Sequence, residues 1–310
     1  MAHGTVVSVT HDDRTERARR AATLMRRAAF ASLGISIVLV AIKAVAYWMS
    51  SSVSVLASLA DSALDLFTST LNLVAIHSAL TPADDEHRFG HGKAEPLAGL
   101  AQGAFIAGSA TFLVVQAVNR LIAPQPIAQG IPALAIMIVS LFGSAAIVAY
   151  QRHVVKETGS LAIGADKVHY TGDLLTNGGV IVAILLGWYL HWELADPIIA
   201  LFVAGALIWT AWSVFAPSYD QLMDRELADE NRAEIARIVM AHPEVKNLHD
   251  LRTRAAGLHH FIQLHIELDP DMTLTRAQQV SDDVERELCA AFPTAQVIIH
   301  QDPVGMEEQK

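Results

Sequence analysis

The sequence is short of charge and of cysteine. Only 17% of its 310 residues are Asp, Glu, Lys or Arg, against 52% hydrophobic, too little charge for an ordinary soluble protein. A lone cysteine, Cys289, excludes an internal disulfide and suits a reducing compartment. It falls in the helical stretch ERELCAAF, where a buried small hydrophobe is the expected role. HExxH, nucleophile-elbow and Walker sequences are all missing, so an enzyme is not expected. Residues 1–29 are polar and Arg-rich, unlike a cleavable signal.

Long apolar runs are abundant. Six of them, at 30–49, 53–80, 97–122, 131–150, 170–190 and 197–215, can cross about 30 Å of hydrocarbon at roughly 1.5 Å per residue. The fourth has no charged residue at all. The second and fifth are the polar ones. They hold Asp61 with Asp65 and His169 with Asp173, each pair spaced i, i+4 and so projecting from one helix face. A charge at the bilayer centre costs from ~2.5 to well over 10 kcal/mol, which argues against decoration. Three carboxylates and an imidazole suit a divalent ion in tetrahedral geometry. The plainer alternative is paired, neutralised packing residues.

Lys and Arg give the orientation. Arg14, Arg17, Arg19, Arg20, Arg26 and Arg27 precede the first run, Arg88 and Lys93 follow the second, and Arg152, Lys156 and Lys167 follow the fourth. The opposite loops, 50–52, 123–130 and 191–196, have none. Both termini are expected in the cytoplasm. Residues 1–27 then form a cytoplasmic segment, 28–216 a six-helix transmembrane domain, 217–303 a cytoplasmic domain and 304–310 a tail. Residues 217–310 hold 18 Asp and Glu against 9 Lys and Arg, a balance that argues against nucleic acid as a partner and is compatible with cations.

The cytoplasmic part reads as α-β-β-α-β, a small α+β, ferredoxin-like sheet domain. A helix at 229–241 stops before Pro243, strands at 245–254 and 258–268 flank Ala255-Ala256-Gly257, Thr273 caps a helix to about Phe292, and a last strand covers 295–300. In the second strand His260, Ile262, Leu264, Ile266 and Leu268 alternate with Phe261, Gln263, His265 and Glu267. A core this small is helped by a partner subunit. His249, His265, His300 and Asp302 lie on or beside these strands, where polar surface is the usual role of a histidine. The loop 82–95, PADDEHRFGHGKAE, offers Asp84, His87 and His91 as metal-ligand types, or a merely solvated loop.

The segments SVLASLADSALD (54–65), PADDEHRFGHGKAE (82–95), HYTGDLLTN (169–177), HDLRTR (249–254) and VIIHQDP (297–303) strongly resemble the cation diffusion facilitator family, above all its bacterial zinc and ferrous-iron efflux branch. The resemblance runs in one order from about residue 25 to 303. It implies a transport site at Asp61, Asp65, His169 and Asp173, a junction site at Asp84, His87 and His91, and a cytoplasmic dimer-interface site at His249, His265, His300 and Asp302. Gln278 stands where relatives place a further histidine. Lys93 and Asp224 match a charge pair linking the two domains. The resemblance further implies a homodimer in the bacterial inner membrane that exports divalent metal by proton antiport with alternating access. Metal displaces protons from its ligands, and His169 is the obvious carrier because imidazole titrates near neutral pH. One His among three Asp favours Zn2+ or Cd2+ over magnesium; Fe2+, cobalt and manganese stay open. The alternative is a membrane-anchored metal sensor or assembly factor that binds without transporting.

Overall fold

The computed structural model describes residues 11–50, 53–123, 131–190 and 194–305. Residues 1–10, most of the three Lys- and Arg-free loops, and the tail beyond 305 lie outside the described residues. Two compact units are present: Ala22–Tyr219, and Asp220 onward together with the chain before Ala22.

The first unit is helical: α1 (His11–Ser50), α2 (Val53–Ala79), α3 (Ala94–Ile122), α4 (Ile131–Thr158), α5 (Leu161–Leu190) and α6 (Ala195–Leu222). Among the described residues, five of these helices are long and apolar enough to cross a membrane. The sixth, α5, has 30 residues and carries Asp166, Lys167, His169 and Asp173 in its first half, which dilute its hydropathy. The bundle is inside out relative to a soluble protein. Phe112, Phe142, Phe202, Trp209 and Trp212 face outward, while Ala98, Ala110, Ala162, Ala165, Ala204 and Ala211 are buried. This is the pattern of an integral membrane protein, whose helices pack through small residues and leave large apolar ones to lipid.

The helices extend past the expected runs. α1 begins inside the segment assigned to 1–27, and α6 continues through Pro217 into the expected cytoplasmic domain. A helix need not stop where its apolar stretch ends, because polar turns outside the hydrocarbon still satisfy their own backbone.

Close approach is concentrated on α6. A Cβ added at Gly99 of α3 would sit 2.2 Å from Ser218 Oγ, and one at Gly103 would meet Ala211 O at 3.5 Å; this is a GxxxG face against α6. Of the three glycines near His169 and Asp173, Gly172 and Gly179 press on Leu207, Ile199 and Val203 of α6, whereas Gly178 meets nothing within 4 Å.

Buried polar groups set the rotation of α5. Asp166 is fully buried and accepts from Ser32 Oγ at 2.5 Å, Gln151 Nε2 at 2.6 Å and Gln102 Nε2 at 3.2 Å, so α1, α3 and α4 are all tied to α5. The Tyr170 hydroxyl bonds Ser36 at 2.8 Å, Ser69 at 3.1 Å and the Ser32 carbonyl at 3.1 Å. At the start of α5, buried Glu95 accepts from Ser160 Oγ at 3.2 Å and from the Leu161 N–H at 3.1 Å, putting an acceptor on an otherwise orphaned helix-end donor.

The second unit holds α7 (Asp229–Met240), β1 (Asn247–Ala256), β2 (His259–Leu268), α8 (Leu274–Ala291) and β3 (Ala295–Pro303), the α-β-β-α-β order expected. The sheet order is β1-β2-β3, with β2 antiparallel to β1 and parallel to β3. Ile262, Leu264, Ile266 and Leu268 pack on Ile235 and Val239 of α7 and Val280, Val284 and Leu288 of α8. Thr273 caps α8, its side chain accepting from the Arg276 N–H at 3.3 Å. The hairpin turn is Gly257-Leu258, tighter than Ala255-Ala256-Gly257, because Gly257 takes φ +59° and lets the strands run to Ala256 and from His259.

If the Gly99 contact sets the α3–α6 distance, Gly99→Ala should lower the melting temperature of the detergent-solubilised protein, with an overpacking cost of about 1–3 kcal/mol. Gly99→Ala with Ser218→Ala should recover most of that loss. Thermal melts of the four variants in this cycle measure the coupling, and strict additivity would refute it.

Candidate metal centres

The two intramembrane pairs come face to face. His169 Nε2 on α5 lies 3.1 Å from Asp65 Oδ1 on α2 and 4.0 Å from Asp173 Oδ2. One donor atom from each of the three residues falls within 4.8 Å of the others, a grouping that could hold a metal ion. Asp61 is placed differently from the expected set of four. It lies one turn ahead of Asp65 on α2, is exposed, and does not join the three.

A positive charge stands beside this group. Lys43 of α1 is 7% exposed, and its ammonium donates to Ser62 Oγ at 2.6 Å and to the Ser58 carbonyl at 3.2 Å.

In the loop between α2 and α3, Asp84 Oδ1 accepts the N–H groups of His87 at 2.6 Å and Glu86 at 3.0 Å, an Asx turn. The turn brings His91 Nε2 to 3.4 Å from Asp84 Oδ2 and His87 Nδ1 to 3.5 Å from Oδ1. Gly90, at φ +80°, makes the reversal that brings the two rings to 4.4 Å, tilted at 43° to each other. The His87 N–H bond, above all, holds the Asp84 carboxyl below its usual value, against the opposing effect of burial.

The sheet assembles the third group. His249 pairs with His265 and His265 with His300, so the three imidazoles form one rung across β1, β2 and β3. Their ring centroids are 5.2 and 4.6 Å apart. Asp302, two residues beyond His300 on the same face, reaches His265 Nδ1 at 2.8 Å, His249 Nε2 at 3.2 Å and His300 Nε2 at 3.3 Å. A β-bulge after His249 supports the arrangement: Asp250 takes φ +45°, turning one residue out of the ladder. Partial burial pushes the Asp302 carboxyl up, but the bond from His265 and the charges of His300, His265 and His249 outweigh it and hold the carboxyl low.

Two acids on this rim were not among the expected ligands. Glu267 Oε1 lies 3.4 Å from His249 Nδ1, and Asp250 Oδ2 lies 3.8 Å from His265 Nε2. The parity of β2 already put Glu267 on the His265 face; the bulge that turns Asp250 inward has no comparable signal. Gln278 faces solvent and donates to Asp282 at 2.7 Å. Lys93 occupies the position before α3 in the first unit, and Asp224 belongs to the second, where Arg254 Nη1 donates to it at 3.3 Å.

Family models cover nearly the whole chain. One described as the cation efflux transmembrane domain matches residues 29–223, and one described as the cytoplasmic domain of cation efflux proteins matches 227–304. The cation-efflux pump FieF of Klebsiella pneumoniae strain 342 is 42% identical over 280 residues, covering 90% of this chain and 93% of the pump. That of Escherichia coli K12 is 42% identical over 283 residues, 91% and 94% of the two chains. Among solved structures, the metal-bound C-terminal domain of the CzcD transporter from Thermotoga maritima aligns at 28% identity over 26% of this chain and 93% of that one, with a TM-score of 0.25.

A carboxyl held low contributes stability above the unfolded value of about 4, and the contribution is lost as pH falls through the lower folded value. Metal-free protein should therefore melt progressively lower below about pH 4. Asp302→Asn should flatten part of that acid slope in a pH series of melts; an unchanged slope would show that Asp302 is not so held.

Proposed function

The chain belongs to the cation efflux family, and from that premise we propose that it exports divalent metal, Zn2+ foremost, from the cytoplasm in exchange for protons. The carrying observation is the convergence of Asp65, His169 and Asp173 within 4.8 Å on two helices of a membrane protein. Asp61 completes the set, its carboxylate swinging along α2 when an ion arrives. One imidazole nitrogen with three carboxylate oxygens favours zinc or cadmium, with Fe2+ also accepted, over magnesium, which prefers an all-oxygen octahedron.

The exchange follows from ligand chemistry. Metal binds carboxylates and neutral imidazole, so it competes with protons for the same lone pairs. His169 carries a proton when the site is empty and yields it to the metal. Alternating exposure of the site to the two sides then converts a proton gradient into metal export. The two termini face the cytoplasm of a bacterial inner membrane, the transmembrane domain covers 28–216 and the cytoplasmic domain 217–303.

The other two groups serve this cycle. Asp84, His87 and His91, at the membrane–cytoplasm junction, hold metal loosely on an exposed loop. His249, His265, His300 and Asp302 hold it more firmly and couple occupancy to the dimer of cytoplasmic domains.

Asp65→Ala and Asp173→Ala should each abolish zinc flux into proteoliposomes driven by a pH gradient while leaving the protein folded and dimeric. Near-normal flux in either variant contradicts the site. His169→Asp should move the preference from zinc toward manganese, because the set becomes all-oxygen; an unchanged ratio in competition flux assays removes His169 as a ligand. For the cytoplasmic group, added zinc should raise the melting temperature of the second unit. His265→Ala combined with His300→Ala should erase that rise.

A further inference from the structure

Lys43 is a cation where the family's metal chemistry does not call for one. It sits within the apolar stretch of α1, buried at 7% exposure, and its hydrogen-bond partners are a serine hydroxyl and a backbone carbonyl, both uncharged. Neutral acceptors alone do not offset the burial of an ammonium. Its anchor, Ser62, follows Asp61 directly and precedes Asp65 by three residues on α2, so the ammonium is tied to the helix segment that bears two of the site's acids. Asp166, an acid fully buried in the same bundle, has its own three donors in Ser32, Gln151 and Gln102.

We propose that Lys43 is a built-in counter-charge of the transport site, which sets the site's net charge to match one dication and keeps binding weak enough for release. The proposal rests on the assignment of Asp61, Asp65, His169 and Asp173 to transport. Three carboxylates and one ammonium leave a net charge of −2, which one divalent ion neutralises with His169 as a neutral ligand. Without the ammonium the same acids would hold a dication with one negative charge in excess. A nearby like charge always opposes a bound cation, and most strongly in a low-dielectric interior. Lys43 therefore lowers affinity on purpose: a transporter that grips its cargo too hard cannot let it go. Ser62 and Ser58 hold the ammonium beside the acids without letting it replace the metal among them.

The test is the dependence of zinc flux on zinc concentration in proteoliposomes of the full-length protein. Lys43→Gln and Lys43→Met should lower the half-saturating zinc concentration on the order of tenfold and also lower the maximal rate, since release slows. Lys43→Arg, which keeps the charge, should stay near the wild type in both. Ser62→Ala, which leaves the charge but removes its anchor, should lower half-saturation by a smaller step. A merely structural lysine predicts a reduced maximal rate with unchanged or raised half-saturation in the neutral variants, and that result overturns the proposal. Asp173→Ala measured alongside separates the two levels. If it loses flux while the neutral Lys43 variants keep wild-type half-saturation, only the counter-charge is refuted. If it transports normally, the transport site itself falls, and the counter-charge with it.

Discussion

Charge inside an apolar bundle has to be answered locally, and that constraint organises the membrane unit. Asp166 is answered by donors from three other helices, and the same bonds fix how α5 is rotated. With Asp166 bonded to α1, α3 and α4 and Tyr170 bonded to α1 and α2, His169 meets Asp65 of α2 at 3.1 Å. The site is thus a consequence of the polar bonds one turn away from it. Close contact with α6 through Gly172 and Gly179 presses on α5 from another side, so neither rotation nor translation of the helix is free.

The cytoplasmic unit solves a similar problem with a sheet. Three histidines far apart in sequence become neighbours because β1, β2 and β3 share a single rung, and one carboxylate, Asp302, reaches all three. A core of Ile, Leu and Val on the opposite face of β2 seats the sheet on α7 and α8. Candidate metal ligands and core residues therefore alternate along the same strand, so His265 and Ile266 are adjacent yet lie on opposite faces.

Much of this was legible in the sequence because it depends on period. The i, i+4 pairs, the alternation of β2, the Thr273 cap and the six apolar runs are local patterns, and each appears in the structure close to where the pattern places it. What was not legible depends on how helices rotate and where ladders slip. The separation of Asp61 from the other three, the inward turn of Asp250 at the bulge, and the meeting of Ser32, Gln102 and Gln151 on Asp166 are all products of tertiary packing. Lys43 is an intermediate case: a lysine within an apolar run is visible in the sequence, but its bond to Ser62, and hence its place beside the acids, is not.

The central claim is that the exported ion rests between α2 and α5. Anomalous X-ray scattering at the zinc edge from crystals of zinc-loaded protein tests it most directly. The account predicts a peak bounded by Asp65, His169 and Asp173, with the Asp61 side chain drawn in as the fourth ligand. At saturating zinc, peaks confined to the rung of His249, His265 and His300, with nothing between α2 and α5, would contradict it.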